Sequence, residues 1–258
     1  MKTMVDGEAI AAELRRRYTR EDGTVHVGAL SVCLSRVKST LPDDALNVHA
    51  LSLTKSELLA LTREREAALI KKQETLLHVP HQWLWYAIAL AREATPDMSY
   101  ARLTLPLLLL SGRRSTEILN GISTFAPTPR PTTCVFTGAV KKRGESTAFE
   151  IPLLCDSHTF ARALGVLRAK QGGVQLDPKT CTNRYAKSLS ASDLFPVRNP
   201  HQLRAVYAAF VYHLYTADVT FNRAAMRFLG HEKLETSLSY NSVVLHGELP
   251  AGAYGPLP

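Results

Sequence analysis

The sequence predicts a mainly α-helical protein with one small antiparallel β-sheet in its second half. Three observations carry this. Apolar residues recur at helical spacing along most of the 258-residue chain, with capping residues where the runs begin. Proline and glycine clusters punctuate those runs. Only CVFTGAVKKRGESTAFEIPLL, residues 134–154, reads as two β-branched and aromatic segments around a basic glycine turn, which is the pattern of a β-hairpin.

The elements follow in order. Residues 8–18 read as an amphipathic helix whose Arg15–Arg16–Arg17 run suits a solvated face, with phosphate contact as the alternative. EDGT at 21–24 is a turn, and a second helix over 28–41 stops at the PDD of 42–44. The stretch from Ser52 to His78 reads as one long helix. Thr54 and Glu57 form a capping box at its start, and Leu58, Leu61, Ala68, Leu69, Leu76 and Leu77 make its stripe; Pro80 ends it. A helix over 81–94 places Trp83, Trp85 and Tyr86 between helices. TPD at 95–97 marks a boundary, so 1–95 is expected as a helical N-terminal region, 96–245 as the second domain and 246–258 as a Gly/Pro-rich tail. Residues 99–111 are apolar enough for a buried helix, kinked or ended at Pro106. SGRRSTEILNG turns and opens a short helix closed by Asn120–Gly121, and APTPRPTT at 126–133 is a proline-rich loop before the hairpin. Helices return at 157–171 and 183–190. Asn199 and Pro200 cap and open another over 200–216, followed by one over 220–229.

Bulk properties bound the function. A formal charge of +8 favours an anionic partner such as nucleic acid. Cys33, Cys134, Cys155 and Cys181 lie far apart without a CxxC pair, which argues for reduced thiols in a cytoplasmic setting and against a zinc cluster or disulfide framework. The most apolar run, LTLPLLLL at 103–110, is too short to span a bilayer, and the first residues are charged rather than secretory.

Several residues stand out chemically. His201 and Arg204 are three apart and share the first turn of a helix, where unsatisfied N–H groups and the dipole already favour an anion. Either they bind one, or they reach into solvent. Arg113 and Arg114 follow Gly112 at a turn-to-helix junction. Arg114 either clamps a phosphate or pairs with Glu117. Lys141, Lys142 and Arg143 occupy the hairpin tip. LGHEKLETSLSY, residues 229–240, sets His231 nine residues before Tyr240. Taken together, arginines, a hairpin lysine, histidines and a tyrosine are what phosphoryl transfer through a tyrosine nucleophile requires: a hydroxyl to attack, cations to hold the non-bridging oxygens, and groups to move protons. No carboxylate cluster or HExxH motif suggests a metal.

SGRRSTEI (111–118), HQLR (201–204) and LGHEKLETSLSY (229–240) resemble the three signature boxes of the tyrosine recombinase superfamily, in the family order and with its His-to-Tyr spacing. The doubled arginine and the helical run ahead of it resemble the telomere resolvase (protelomerase) branch. The resemblance implies a tyrosine recombinase catalytic-domain fold preceded by a helical segment. It implies Tyr240 as the nucleophile of a 3′-phosphotyrosine link, Arg114 and Arg204 as phosphate clamps, and His231 bonding the phosphate or assisting proton transfer. Lys141 would protonate the leaving 5′-oxygen, with Lys142 as runner-up, and His201 would be the remaining basic-box residue. Arg113, Lys142 and Arg143 are expected to contact DNA. Many recombinases carry a histidine after the second arginine, where this chain has Ala205. The implied substrate is double-stranded DNA with an inverted-repeat telomere, bound by a homodimer in a bacterial or phage-infected cytoplasm, with no cofactor, metal or membrane. The alternatives are strand exchange between two duplexes, or a non-catalytic DNA-binding relative.

Overall fold

The computed structural model describes residues 6–42, 45–139, 148–215, 218–231, 237–238, 240–249 and 254–255. The chain forms two compact units, Met1–Lys72 and Gln73–Pro258.

The first unit contains α1 (Gly7–Tyr18), α2 (Val27–Lys38), a 3-10 turn at Val48–Ala50, and most of α3 (Lys55–Glu74). Asp6 caps α1 by accepting from the Glu8 N–H at 2.9 Å. The expected capping box closes α3: the Thr54 N–H reaches Glu57 Oε2 (2.7 Å), and the Glu57 N–H reaches Thr54 Oγ1 (3.2 Å). Ala11, Leu30, Leu34 and Leu51 form the core. Arg15 leaves the solvated face predicted for its run. Its Nε and Nη2 donate to both Glu57 oxygens at 2.7 and 3.0 Å, tying α1 to α3. Of the stripe predicted on α3, Leu61 is buried, whereas Leu58 is 55% exposed. Helical spacing puts residues on one face, but covering that face takes a packing partner.

The second unit starts with β1 (Leu77–Pro80), where the sequence predicts the end of a helix. β1 pairs in parallel with β5 (Val243–His246), Leu77 opposite Val243, so a pairing partner far along the chain overrides the local helical pattern. α4 (Gln82–Arg92) and α5 (Tyr100–Ser111) follow. The TPD at 95–97 therefore lies between two helices of the same unit. Trp83 packs on Phe195, ring centroids 5.5 Å apart, but Trp85 is 51% exposed rather than set between helices.

α5 is the central helix. Ser99 caps it, Pro106 stays within it, and Leu103 through Leu110 are all buried. α4, α7 (Ser157–Lys170), α8 (Pro178–Ser190) and α9 (Gln202–Leu214) pack against it. After α6 (Ser115–Leu119) comes an antiparallel sheet, β2 (Thr124–Pro127), β3 (Thr133–Thr137) and β4 (Phe149–Pro152). β3 and β4 form the predicted hairpin arms. β2, read from sequence as proline-rich loop, is an edge strand with Pro127 at its end, a position where no ladder N–H is needed. α9 begins two residues later than predicted: the Asn199 carbonyl accepts from the Gln202 N–H at 3.0 Å, and Pro200 and His201 form the turn before it. α10 (Phe221–Leu229) precedes the final motif. Among the described residues, no helix is long and apolar enough to cross a membrane.

Candidate active site

Two helix ends and one helix start meet at the site. α5 ends at Gly112, whose φ of 63° is left-handed and whose absent Cβ would lie 2.1 Å from the Tyr207 ring. α10 ends at Gly230 with φ 70°, where a Cβ would stand 2.9 Å from Phe149. Both carbonyl-rich ends face the first turns of α9, and Arg204 joins them. Its Nη1 donates to the Gly112 carbonyl, its Nη2 to the Leu229 carbonyl at 2.7 Å. The same Nη2 donates to His231 Nε2 at 3.3 Å, and Nε donates to the Tyr240 hydroxyl at 3.3 Å. Arg204 is 1% exposed, so of the two sequence readings for this side chain, reaching into solvent is excluded. Burial and the neighbouring Arg113 lower its pKa to about 10, which leaves it a cation at neutral pH.

Tyr240 is buried against the two histidines. Its ring centroid lies 5.2 Å from that of His231 and 6.3 Å from that of His201, and its hydroxyl is 3.5 Å from His201 Nε2. Because arginine only donates, His231 Nε2 must accept, and its proton sits on Nδ1, 3.3 Å from Ser237 Oγ. Burial, followed by Arg204, Arg114, Arg113 and His201, drives the His231 pKa down to about 3. Without an anion in the site it is a neutral imidazole.

The doubled arginine divides its labour. Arg114, at the N-cap of α6, sends Nη1 to Glu117 Oε1 at 2.8 Å while its backbone N–H reaches Oε2 at 2.9 Å. Glu117 is fully buried and fixes a guanidinium that keeps partial exposure, so the ion pair and the clamp are compatible. Arg113 turns the other way. It is buried, donates to the Phe228 carbonyl at 2.6 Å and to the Ser111 carbonyl at 3.3 Å, and lies over the rings of Phe136 and Phe149. The expectation that Arg113 contacts DNA does not fit that position; it braces the site from behind.

Lys141, Lys142 and Arg143 fall outside the described residues. Two supports were not read from the sequence as part of the site. Ser237 orients His231, and its only signal was its place within the same motif. Tyr207, anchored by its hydroxyl on the Pro152 carbonyl at 2.7 Å, sets the floor under Gly112. Among the described residues, no group of three or more His, Cys, Asp or Glu is placed to hold a metal.

Among solved structures, the chain is similar to protelomerase TelA covalently complexed with substrate DNA, at 21% identity and a TM-score of 0.78, covering 93% of this chain and 82% of that one. An arginine-to-alanine variant of protelomerase TelA complexed with a DNA hairpin product matches at 20% identity and 0.76 over the same shares. Protelomerase TelK complexed with substrate DNA matches at 22% and 0.62, covering 78% of this chain and 44% of that one. At these identities the likeness establishes the tyrosine recombinase-like catalytic fold. No curated protein matches. The family model of the telomere resolvase ResT/TelK catalytic domain matches residues 76–242, from β1 to just past Tyr240, and the chain belongs to that family of DNA breaking–rejoining enzymes.

Proposed function

We propose that Tyr240 is the nucleophile with which this telomere resolvase opens a replicated inverted-repeat junction and reseals each end as a covalently closed hairpin. The observation that carries the reading is the Arg204 Nε–H donated to the Tyr240 hydroxyl, in a pocket shared with His201, His231 and the Arg114 turn. A phosphodiester entering there meets the attacking oxygen and the cations together. The Tyr240 oxygen bonds to phosphorus and the bond to the 5′-oxygen breaks. The phenol proton passes to His201, the described group that lies 3.5 Å away, and Lys141 supplies the proton for the departing 5′-oxygen. Arg114 and Arg204 hold the non-bridging oxygens. Four of the five Arg204 N–H groups already have partners, so its Nε–H moves from the phenol to the phosphoryl oxygen as attack proceeds. His231 bonds the same phosphate, whose negative charge counters the cations that now keep it neutral. Rejoining reverses the steps with the 5′-hydroxyl of the folded-back strand, and the phosphotyrosine bond conserves the energy.

Two strands must be cut across a palindrome, which suits a homodimer, one active site per strand. The place of work is the cytoplasm of a bacterial or phage-infected cell that carries a linear replicon. End-labelled inverted-repeat telomere DNA from that replicon, incubated with the protein in EDTA, should yield snap-back hairpins on a denaturing gel. Recombinants joined from two duplexes would replace this reading with strand exchange. Tyr240→Phe should abolish the covalent protein–DNA adduct while DNA binding persists; an adduct in that variant would mean the nucleophile is misassigned.

A further inference from the structure

We infer that the cavity beside the catalytic turn is a receptor for one nucleobase, unstacked from the DNA next to the scissile phosphate. The inference rests on the hairpin-forming reading. The cavity holds about 200 Å³ and lies between α6, α8 and the turn that opens α9. That is below the roughly 300–1,000 Å³ of sites for drug-sized ligands, and suits a single flat ring system. Its position ties it to the chemistry. It begins at Ser115, the residue after Arg114, and ends at His201, whose Nε2 is 3.5 Å from the Tyr240 hydroxyl.

The lining is that of a base pocket. Leu119, Tyr185 and Leu189 give apolar and aromatic surface, while Ser115, Thr116 and His201 add polar groups to the lining, as base edges need partners. Tyr185 is a preset wall rather than a loose side chain. It is buried, its hydroxyl accepts from Gln171 Nε2 at 3.2 Å, and its ring packs at 4.9 Å from Tyr100. A strand folding back on itself within a few nucleotides cannot keep every base paired and stacked. A pocket adjoining the phosphate clamp gives one such base a place to go while the 5′-end turns.

The test is a cycle of single-turnover hairpin-forming rates. One axis is Ala186→Trp, which places bulk on the exposed α8 residue that lines the cavity. The other axis is telomere DNA lacking one base at each position around the cut. On intact DNA, Ala186→Trp should slow hairpin formation on the order of tenfold, as expected for a lost base–aromatic contact. On DNA lacking the base that docks, the substitution should have no further effect. Lys187→Trp, equal bulk one residue along, controls for the helix and should behave as the parent protein. Ala186→Trp without effect on intact DNA, or equal slowing on every DNA, would overturn the pocket while leaving the resolvase standing. Absence of hairpins with the parent protein would overturn the resolvase reading, and this inference with it.

Discussion

Arg204 links the framework to the proposed chemistry, and the two can be measured separately. It joins the α5 and α10 termini through the Gly112 and Leu229 carbonyls and also touches Tyr240. Arg204→Ala therefore leaves two buried carbonyls without a donor, a loss of about 2–6 kcal/mol in denaturant unfolding at roughly 1–3 kcal/mol for each unsatisfied group. Adduct formation should fall by about 10²–10³ or more. An unchanged unfolding midpoint would mean the carbonyls find other donors. His231 adds a pH dependence. Its folded pKa of about 3 lies below its ordinary 6.5, so between these values the unfolded chain binds a proton that the folded one refuses. Stability therefore falls as pH drops through 6.5 toward 3, by roughly 1.4 kcal/mol for each pH unit crossed and up to about 5 kcal/mol in all. His231→Gln should flatten that acid limb in a series of melts; an identical limb would place the titration elsewhere. Residue identities were the most legible level of the sequence. Three short boxes named Tyr240, Arg114, Arg204, His231 and His201, and the structure gathers them. Arg113 was misread because consecutive residues at a turn point in different directions, which spacing alone does not reveal.

At the scale of elements, helices were readable where caps and apolar periodicity agreed, as at Thr54–Glu57 and along α5. Strands whose partners are remote were not. β1 carries a helical pattern and becomes a strand because β5, 166 residues later, offers it a ladder. β2 was hidden by prolines that an edge strand tolerates. The β1–β5 pair matters to the site because β5 starts three residues after Tyr240, and the Leu77 N–H holds the Ser242 carbonyl at 2.7 Å. The ladder thus fixes the chain immediately beyond Tyr240. Val244→Pro removes an N–H from the middle of β5 and should loosen that anchor. Adduct formation should drop on the order of tenfold or more, as for other small displacements of a reacting group, with a lower melting temperature. Full activity in this variant would mean that the Tyr240 hydroxyl is positioned by Arg204 and the histidines alone.

At the scale of the whole molecule, the sequence's charge of +8 carries an expectation that no single contact does. A protein that covers a DNA junction neutralises phosphates and releases their counterions, so its affinity falls steeply with salt. If the chain meets about six phosphates, the slope of log affinity against log salt is near −5, and raising salt from about 50 to 200 mM weakens binding roughly 10³-fold. Tyr240→Phe is the right protein for this titration, because it is expected to bind without forming the adduct, so that the equilibrium stays reversible. Its slope should match that of the parent measured under conditions where cleavage is blocked, since losing one hydroxyl removes no cationic phosphate contact. Losing one phosphate contact, as in Arg114→Ala, should make the slope shallower by about one unit. A flat response would mean that the basic surface faces something other than the DNA backbone. A steep response with an unchanged slope in Arg114→Ala would mean that Arg114 stays paired with Glu117 and never engages the phosphate.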